Sequence, residues 1–258
     1  GNYNPTTARL YTDVGLLTCR PDFGEDATNL FNLLTGICQF QGMRQLVVAP
    51  FDLHRRLLEL IEREAKHARL GSPARIIAKL NSLAEREIIE ALYRASQAGV
   101  QIDLIVRGVC CLRPGVPGLS ENITVRSIVD RFLEHARVYY FENACQPEVF
   151  VGSADWLPRN LFRRIETVFP ILDGLLRDRI INEILATVLA DNTKARILFG
   201  DGTYHRATRT DLDPARRSQT EFMAQAVSGP KVRGASTKHL ARYPRVELAR
   251  PPFVTDKK

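Results

Sequence analysis

The chain has 258 residues, 45% of them apolar, enough for one large or two small domains with a buried core. No run approaches 18 apolar residues and no stretch has signal-peptide character, so nothing reads as a membrane-spanning helix or a secreted leader. The net charge of +7 is uneven: residues 228–258 hold eight Lys/Arg against Glu247 and Asp256, a net +6, leaving about +1 for the rest.

In chain order, residues 8–18 alternate like a strand and 25–34 have helical spacing, with Asp26 in the first turn. Residues 44–48 (RQLVV) form a short apolar strand. Across 52–68, Leu53, Leu57, Leu58 and Ile61 fall three or four apart with Gly71 beyond, an amphipathic helix closed by a glycine. A strand follows at 74–80, then a helix at 85–97 with Ile88, Ile89, Leu92 and Tyr93 on its apolar face, and a buried strand at 101–106. Asn81 and Ser82 are expected to cap that helix, and His54 and His67 to face solvent. The spacing then predicts a helix over 123–133, strands at 137–141, 148–152 and 163–170, a long amphipathic helix over 175–189 and a last strand at 194–198. Strands separated by helices of this length predict parallel pairing and an α/β sandwich.

The five cysteines (Cys19, Cys38, Cys110, Cys111, Cys145) are odd in number and lack CxxC spacing, so they read as reduced thiols of a cytoplasmic protein and not as a zinc site. The tail combines its cations with Pro230, Pro244, Pro251 and Pro252 and little apolar periodicity, the composition of a disordered segment. It could hold a polyanion or lie against an acidic membrane surface.

Residues 131–166 concentrate the chemistry. His135 stands two residues before Arg137, Glu142 follows five later, and Gly152-Ser153-Ala154-Asp155 forms a turn. Chemistry at phosphorus needs an imidazole to carry or relay a group, a guanidinium to offset phosphate charge, and donors to orient oxygens. Arg107 ends an apolar strand, where α/β sheets hold ligands, and burying it without an anion is costly. Lys79 ends another strand and is expected either to point into the same crevice or to snorkel to the surface, and Ser153 and Asp155 either to orient substrate oxygens or a magnesium water or simply to form the turn. A second signal is internal repetition. Setting residues 1–13 beside 154–166 pairs Asn2 with Asp155, Tyr3 with Trp156, Pro5 with Pro158 and Asp13 with Glu166.

The order of these groups is similar to the His-x-Lys-x4-Asp then Gly-Ser-x-Asn pattern of the phospholipase D superfamily, with Arg137, Glu142 and Asp155 in the Lys, Asp and Asn places. Five segments in order, GNYNPTTARLYTD (1–13), KLNSL (79–83), LIVRGVCCLRPG (104–115), SIVDRFLEHARVYYFEN (127–143) and SADWLPRNL (153–161), resemble the C-terminal half of long-form bacterial polyphosphate kinase. The resemblance implies a phospholipase D-like α/β/α sandwich: 1–43 as the end of a first lobe, 44–205 as a complete second lobe, and 206–258 as an extension. It implies reversible transfer of the ATP terminal phosphate to polyphosphate through a phosphohistidine, with Mg2+, in a cytoplasmic homo-oligomer. By position, Tyr11 matches a nucleotide-contacting tyrosine, Arg107 a phosphate-gripping arginine, and His135 the second active-site histidine. Lys79, Arg137, Glu142, Ser153 and Asp155 become supporting residues, and no metal ligand is assigned. The phosphorylated histidine of the family lies upstream of the motif that Gly1–Asn4 ends, so the chain is expected to start within the first lobe and to be inactive alone. Two alternatives stay open: a phospholipase D-like phosphodiesterase or phosphatidyltransferase, and a non-catalytic polyanion-binding module.

Overall fold

The structure, a computed structural model, describes residues 4–210 and 212–228; the basic tail and the Asn2 and Tyr3 of the repeat lie outside the described residues. Residues up to Glu221 form one compact unit, and Phe222 begins a second. Among the described residues no helix is long and apolar enough to cross a membrane.

The chain opens with a two-residue strand, β1 (Tyr11–Thr12), and a helix, α1 (Pro21–Leu34). Pro21 occupies the first helical position, where its missing N–H costs nothing, so the helix begins four residues before its apolar spacing does. The Asp26 carboxylate of α1 is buried and accepts from the backbone N–H groups of Arg44, Gln45 and Leu46 at 2.8, 2.6 and 2.9 Å. That fixes the approach to β2 (Val47–Ala49). Helix α2 (Leu53–Arg69), strand β3 (Arg75–Leu80), helix α3 (Arg86–Gln97) and strand β4 (Gln101–Val106) follow, within a residue or two of the expected bounds. Glu85 caps α3 itself, its side chain accepting from Glu87 and Ile88 N–H, so Asn81 and Ser82 do not cap it. His54 is not solvent-facing either: Nε2 lies 3.3 Å from the Glu85 carboxylate, and the ring packs on Phe162 at 4.7 Å.

The expected helix over 123–133 is instead β5 (Ile123–Ile128) and the short β6 (Leu133–Glu134). Along β5, Ile123 and Val125 are buried while Thr124 between them is exposed, the period of two that a pleated strand demands. Next come β7 (Arg137–Phe141), β8 (Glu148–Gly152), the single-turn α4 (Pro158–Phe162) and β9 (Glu166–Pro170). The long helix is continuous over 174–189, as α5 (Gly174–Arg179), a π-helical stretch over Ile180–Leu185, and α6 (Ala186–Leu189). Strands β10 (Ala195–Leu198) and β11 (Tyr204–Arg206) and helix α7 (Ser218–Ser228) close the described chain.

The nine-stranded sheet runs β11-β10-β5-β4-β3-β7-β8-β9-β2. Only β3, β4 and β5 pair in parallel within it; every other neighbour is antiparallel. The expectation of parallel pairing therefore fails outside that centre. Ile76, Ala78, Leu80, Ile102, Leu104, Val106, Tyr139 and Phe141 share one face with Leu57, Ile61, Ile88 and Leu92 of α2 and α3 in a single core. On the opposite face, Arg126 donates to the Leu189 carbonyl at the end of the 174–189 helix. Helices thus cover both faces, giving a mixed α/β sandwich.

Candidate functional site

Pairing directions put the carboxyl ends of β3, β4, β5 and β8 and the amino ends of β7 and β9 along one edge of the sheet. Asp155 is the hub there. Its Oδ1 accepts from the backbone N–H of Asn81 at 2.7 Å and of Ser82 at 3.3 Å, just past β3. Both oxygens also accept from Arg137, Nε to Oδ1 at 3.3 Å and Nη2 to Oδ2 at 3.0 Å. A two-pronged guanidinium–carboxylate contact fixes orientation as well as charge. With side chains 13% and 9% exposed, neither partner is free to swing.

Arg137 in turn holds His135. Its Nη1 donates to the His135 carbonyl at 3.1 Å and stands 3.2 Å from the ring Nε2. The other ring nitrogen, Nδ1, is 3.0 Å from Asp13 Oδ2. Because a guanidinium can only donate, this network assigns Nδ1–H as donor to Asp13 and leaves the Nε2 lone pair toward Arg137. The Tyr11 ring stacks on the imidazole at 5.0 Å between centroids. Strand β1 pairs in parallel with β6, and the His135 N–H donates to the Thr12 carbonyl at 3.1 Å, so residues 11–13 and 133–135 arrive together.

Arg107, one residue past β4, donates from Nε to Asn81 Oδ1 at 3.2 Å. Among the described residues no carboxylate comes within ion-pair distance of it. The path His135–Arg137–Asp155–Asn81–Arg107 is thus an unbroken run of contacts along one sheet edge, ending in a half-buried cation with donors to spare.

Three expected supporting residues stand differently. Lys79 is buried, and its Nζ is engaged by Glu134 Oε2 at 3.0 Å and the Ala136 carbonyl at 3.3 Å, so it braces the His135 segment from beneath. Ser153 donates to Glu166, which also accepts from Asn160 Nδ2 at 2.5 Å. Glu142 is not part of the cluster: it follows the far end of β7, accepting from the Tyr140 hydroxyl. Asp13 is the site residue that spacing alone passes over, because its partner is 122 residues away. Its in-register match with Glu166 was the available signal, since both acids accept from neighbouring site side chains.

Comparison with known proteins gives a consistent result. Residues 46–219 match the family model "Polyphosphate kinase C-terminal domain 2", and residues 1–40 match "Polyphosphate kinase C-terminal domain 1". A polyphosphate kinase of Synechocystis sp. is 52% identical over 228 residues, 88% of this chain and 31% of the relative. One of Burkholderia ambifaria is 55% identical over 206 residues, 80% of this chain and 30% of the relative. The crystal structure of the Porphyromonas gingivalis polyphosphate kinase superposes with a TM-score of 0.84 at 41% identity, covering 88% of this chain and 35% of that one. The chain spans about a third of the length of these relatives.

Proposed function

The chain belongs to the polyphosphate kinase family, and we propose that it supplies the C-terminal part of an ATP:polyphosphate phosphotransferase, with the sheet edge around His135 and Arg107 facing the transferred phosphate. The observation that carries this reading is the run of contacts from His135 to Arg107, ending in a guanidinium without an acid partner among the described residues. Phosphoryl transfer is governed by positioning and by charge placed where the equatorial oxygens gather it. Arg107 would take that role. His135, oriented through Asp13 and Arg137, has an Nε2 lone pair free to accept a proton or a hydrogen bond once a phosphate displaces the Arg137 contact. Tyr11, stacked on that ring, extends an aromatic face suited to a nucleotide base.

Magnesium would arrive with the nucleotide. Among the described residues no group of three or more His, Cys, Asp and Glu converges on a metal-sized site; Asp155 is taken up by the Arg137 guanidinium and Asp13 by the His135 imidazole. A magnesium ion held chiefly by substrate phosphates and water fits that donor set.

The test is kinetic. In a full-length enzyme carrying this region, Arg107→Ala should lower kcat by about 10²–10³-fold, the usual scale for losing one oxyanion donor. Turnover within twofold of the unmodified enzyme would overturn the assignment.

A further inference from the structure

The segment that carries His135 is thinly supported by its own strand. Strand β6 has two residues and, among the described residues, pairs only with the two of β1 in a separate sheet. Such a ladder is not stable by itself in water. The support comes from the start of α7. Gln219 is 1% exposed, and its amide reads both backbone groups of Phe132: the Phe132 N–H donates to Oε1 at 2.9 Å, and Nε2 donates to the Phe132 carbonyl at 2.9 Å. The same Nε2 donates to Glu134 Oε1 at 2.6 Å. The other Glu134 oxygen accepts from Lys79 Nζ at 3.0 Å and Thr12 Oγ1 at 3.1 Å. Beside it, Arg217 grips Asp130 with two bonds of 2.7 and 2.5 Å, and the Ser218 N–H and hydroxyl both donate to Asp191 at 2.8 Å.

Gln219 therefore holds the chain at the entrance to β6, bonding the Phe132 peptide just before the strand and the Glu134 side chain within it, with one side chain in place of a backbone. Buried amides at this exposure are uncommon unless every valence is used, and here the partners are the two residues flanking Leu133 immediately before His135. We infer that Gln219 is a positioning residue for His135, acting through the Phe132 peptide and the Glu134 carboxylate. The catalytic consequence rests on the phosphotransfer reading above; the mechanical one does not.

The experiment has two arms. In this chain, hydrogen exchange is followed for Gln219→Met, which keeps the volume and removes all three hydrogen bonds. The amides of Leu133 and His135, bonded to the Leu10 and Thr12 carbonyls, should exchange at least about tenfold faster, while that of Ile102 in the main sheet should not change. In the full-length enzyme the same variant should lose about tenfold or more in kcat, with KM for ATP within twofold, because the imidazole is misplaced while nucleotide binding is intact. Unchanged exchange, uniformly faster exchange, or an unaltered kcat would each overturn the proposal. If Gln219→Met does not fold, Gln219→Glu carries the same comparison, since it keeps the acceptor for Phe132 N–H but sets a carboxylate against Glu134. An unmodified full-length enzyme without phosphotransfer activity would sink the reading of the site, and the exchange arm would still decide whether Gln219 holds the strand.

Discussion

The two ends of β7 are equally rich in charge and do opposite things with it. At the Arg137 end, Asp155, Arg137, His135 and Asp13 are linked, yet Arg107 at the close of the same run keeps donors unused among the described residues. At the Phe141 end the charges brace the fold. Glu64, fully buried, accepts from the Asn143 N–H at 3.0 Å and the Arg75 N–H at 3.3 Å. Arg63 pairs with Glu148 at 2.6 Å, Arg75 with Asp103 at 2.7 Å, and Glu142 takes the Tyr140 hydroxyl. Asn143, Ala144 and Cys145 turn the chain there through three successive left-handed conformations, an arrangement a non-glycine run holds only when anchored. A cluster suited to a ligand differs from one that builds a turn by a half-exposed cation with no acid beside it among the described residues, and not by its count of ionisable groups.

The sharpest way to break that contrast is Asp155→Ala. It strands the Arg137 guanidinium and removes the acceptor of two backbone N–H groups, so urea unfolding of this chain should show a loss of about 3–5 kcal/mol. A loss below about 1 kcal/mol would mean that Asp155 is no hub. A smaller effect is expected from Glu64→Gln at the other end. Burial raises the Glu64 carboxyl above its ordinary value of 4.5, so the folded chain keeps that proton to higher pH than the unfolded chain does. Between 4.5 and the raised value the native state binds more protons, and stability contributed by this group falls as pH rises. Denaturation midpoints compared from pH 4 upward should show that decline in the parent chain and its absence in Glu64→Gln; a parent curve that climbs more steeply than the variant would reverse the sign and refute it. The mildest change should be Glu142→Gln. It leaves the His135 edge untouched, so kcat of a full-length enzyme should stay within about twofold, and a tenfold fall would place Glu142 back in the site.

Much of the sheet is legible in the sequence. The strands at 137–141 and 148–152 match to the residue, because RVYYF and EVFVG are short β-branched and aromatic runs between turn formers. The error at 123–133 came from expecting helix to alternate with strand, when the burial rhythm of ITVRSI has a period of two. Parallel pairing failed for a related reason: the six residues between Phe141 and Glu148 cannot carry a crossover, so β7 and β8 must run antiparallel. Spacing likewise grouped His135, Arg137 and Asp155 but misplaced Glu142. Five residues of extended chain, at roughly 3.3 Å each, set its Cα about 16 Å from that of Arg137. Asp13 and Gln219 were out of reach of local pattern, since the bonds that define them cross 122 and 85 residues.

Strand β2 borders β9 through Val47–Val168, Val48–Thr167 and Ala49–Glu166, although some 120 positions separate them along the polypeptide. A version trimmed to begin at Leu53, a natural-looking start for a protease nick or an expression trial, would therefore bare the rim of β9. Unpaired amides and carbonyls in that row offer themselves to any other extended peptide, including a second trimmed molecule, and self-association would follow. Keeping the few residues from 46 to 49 is what keeps that rim shut.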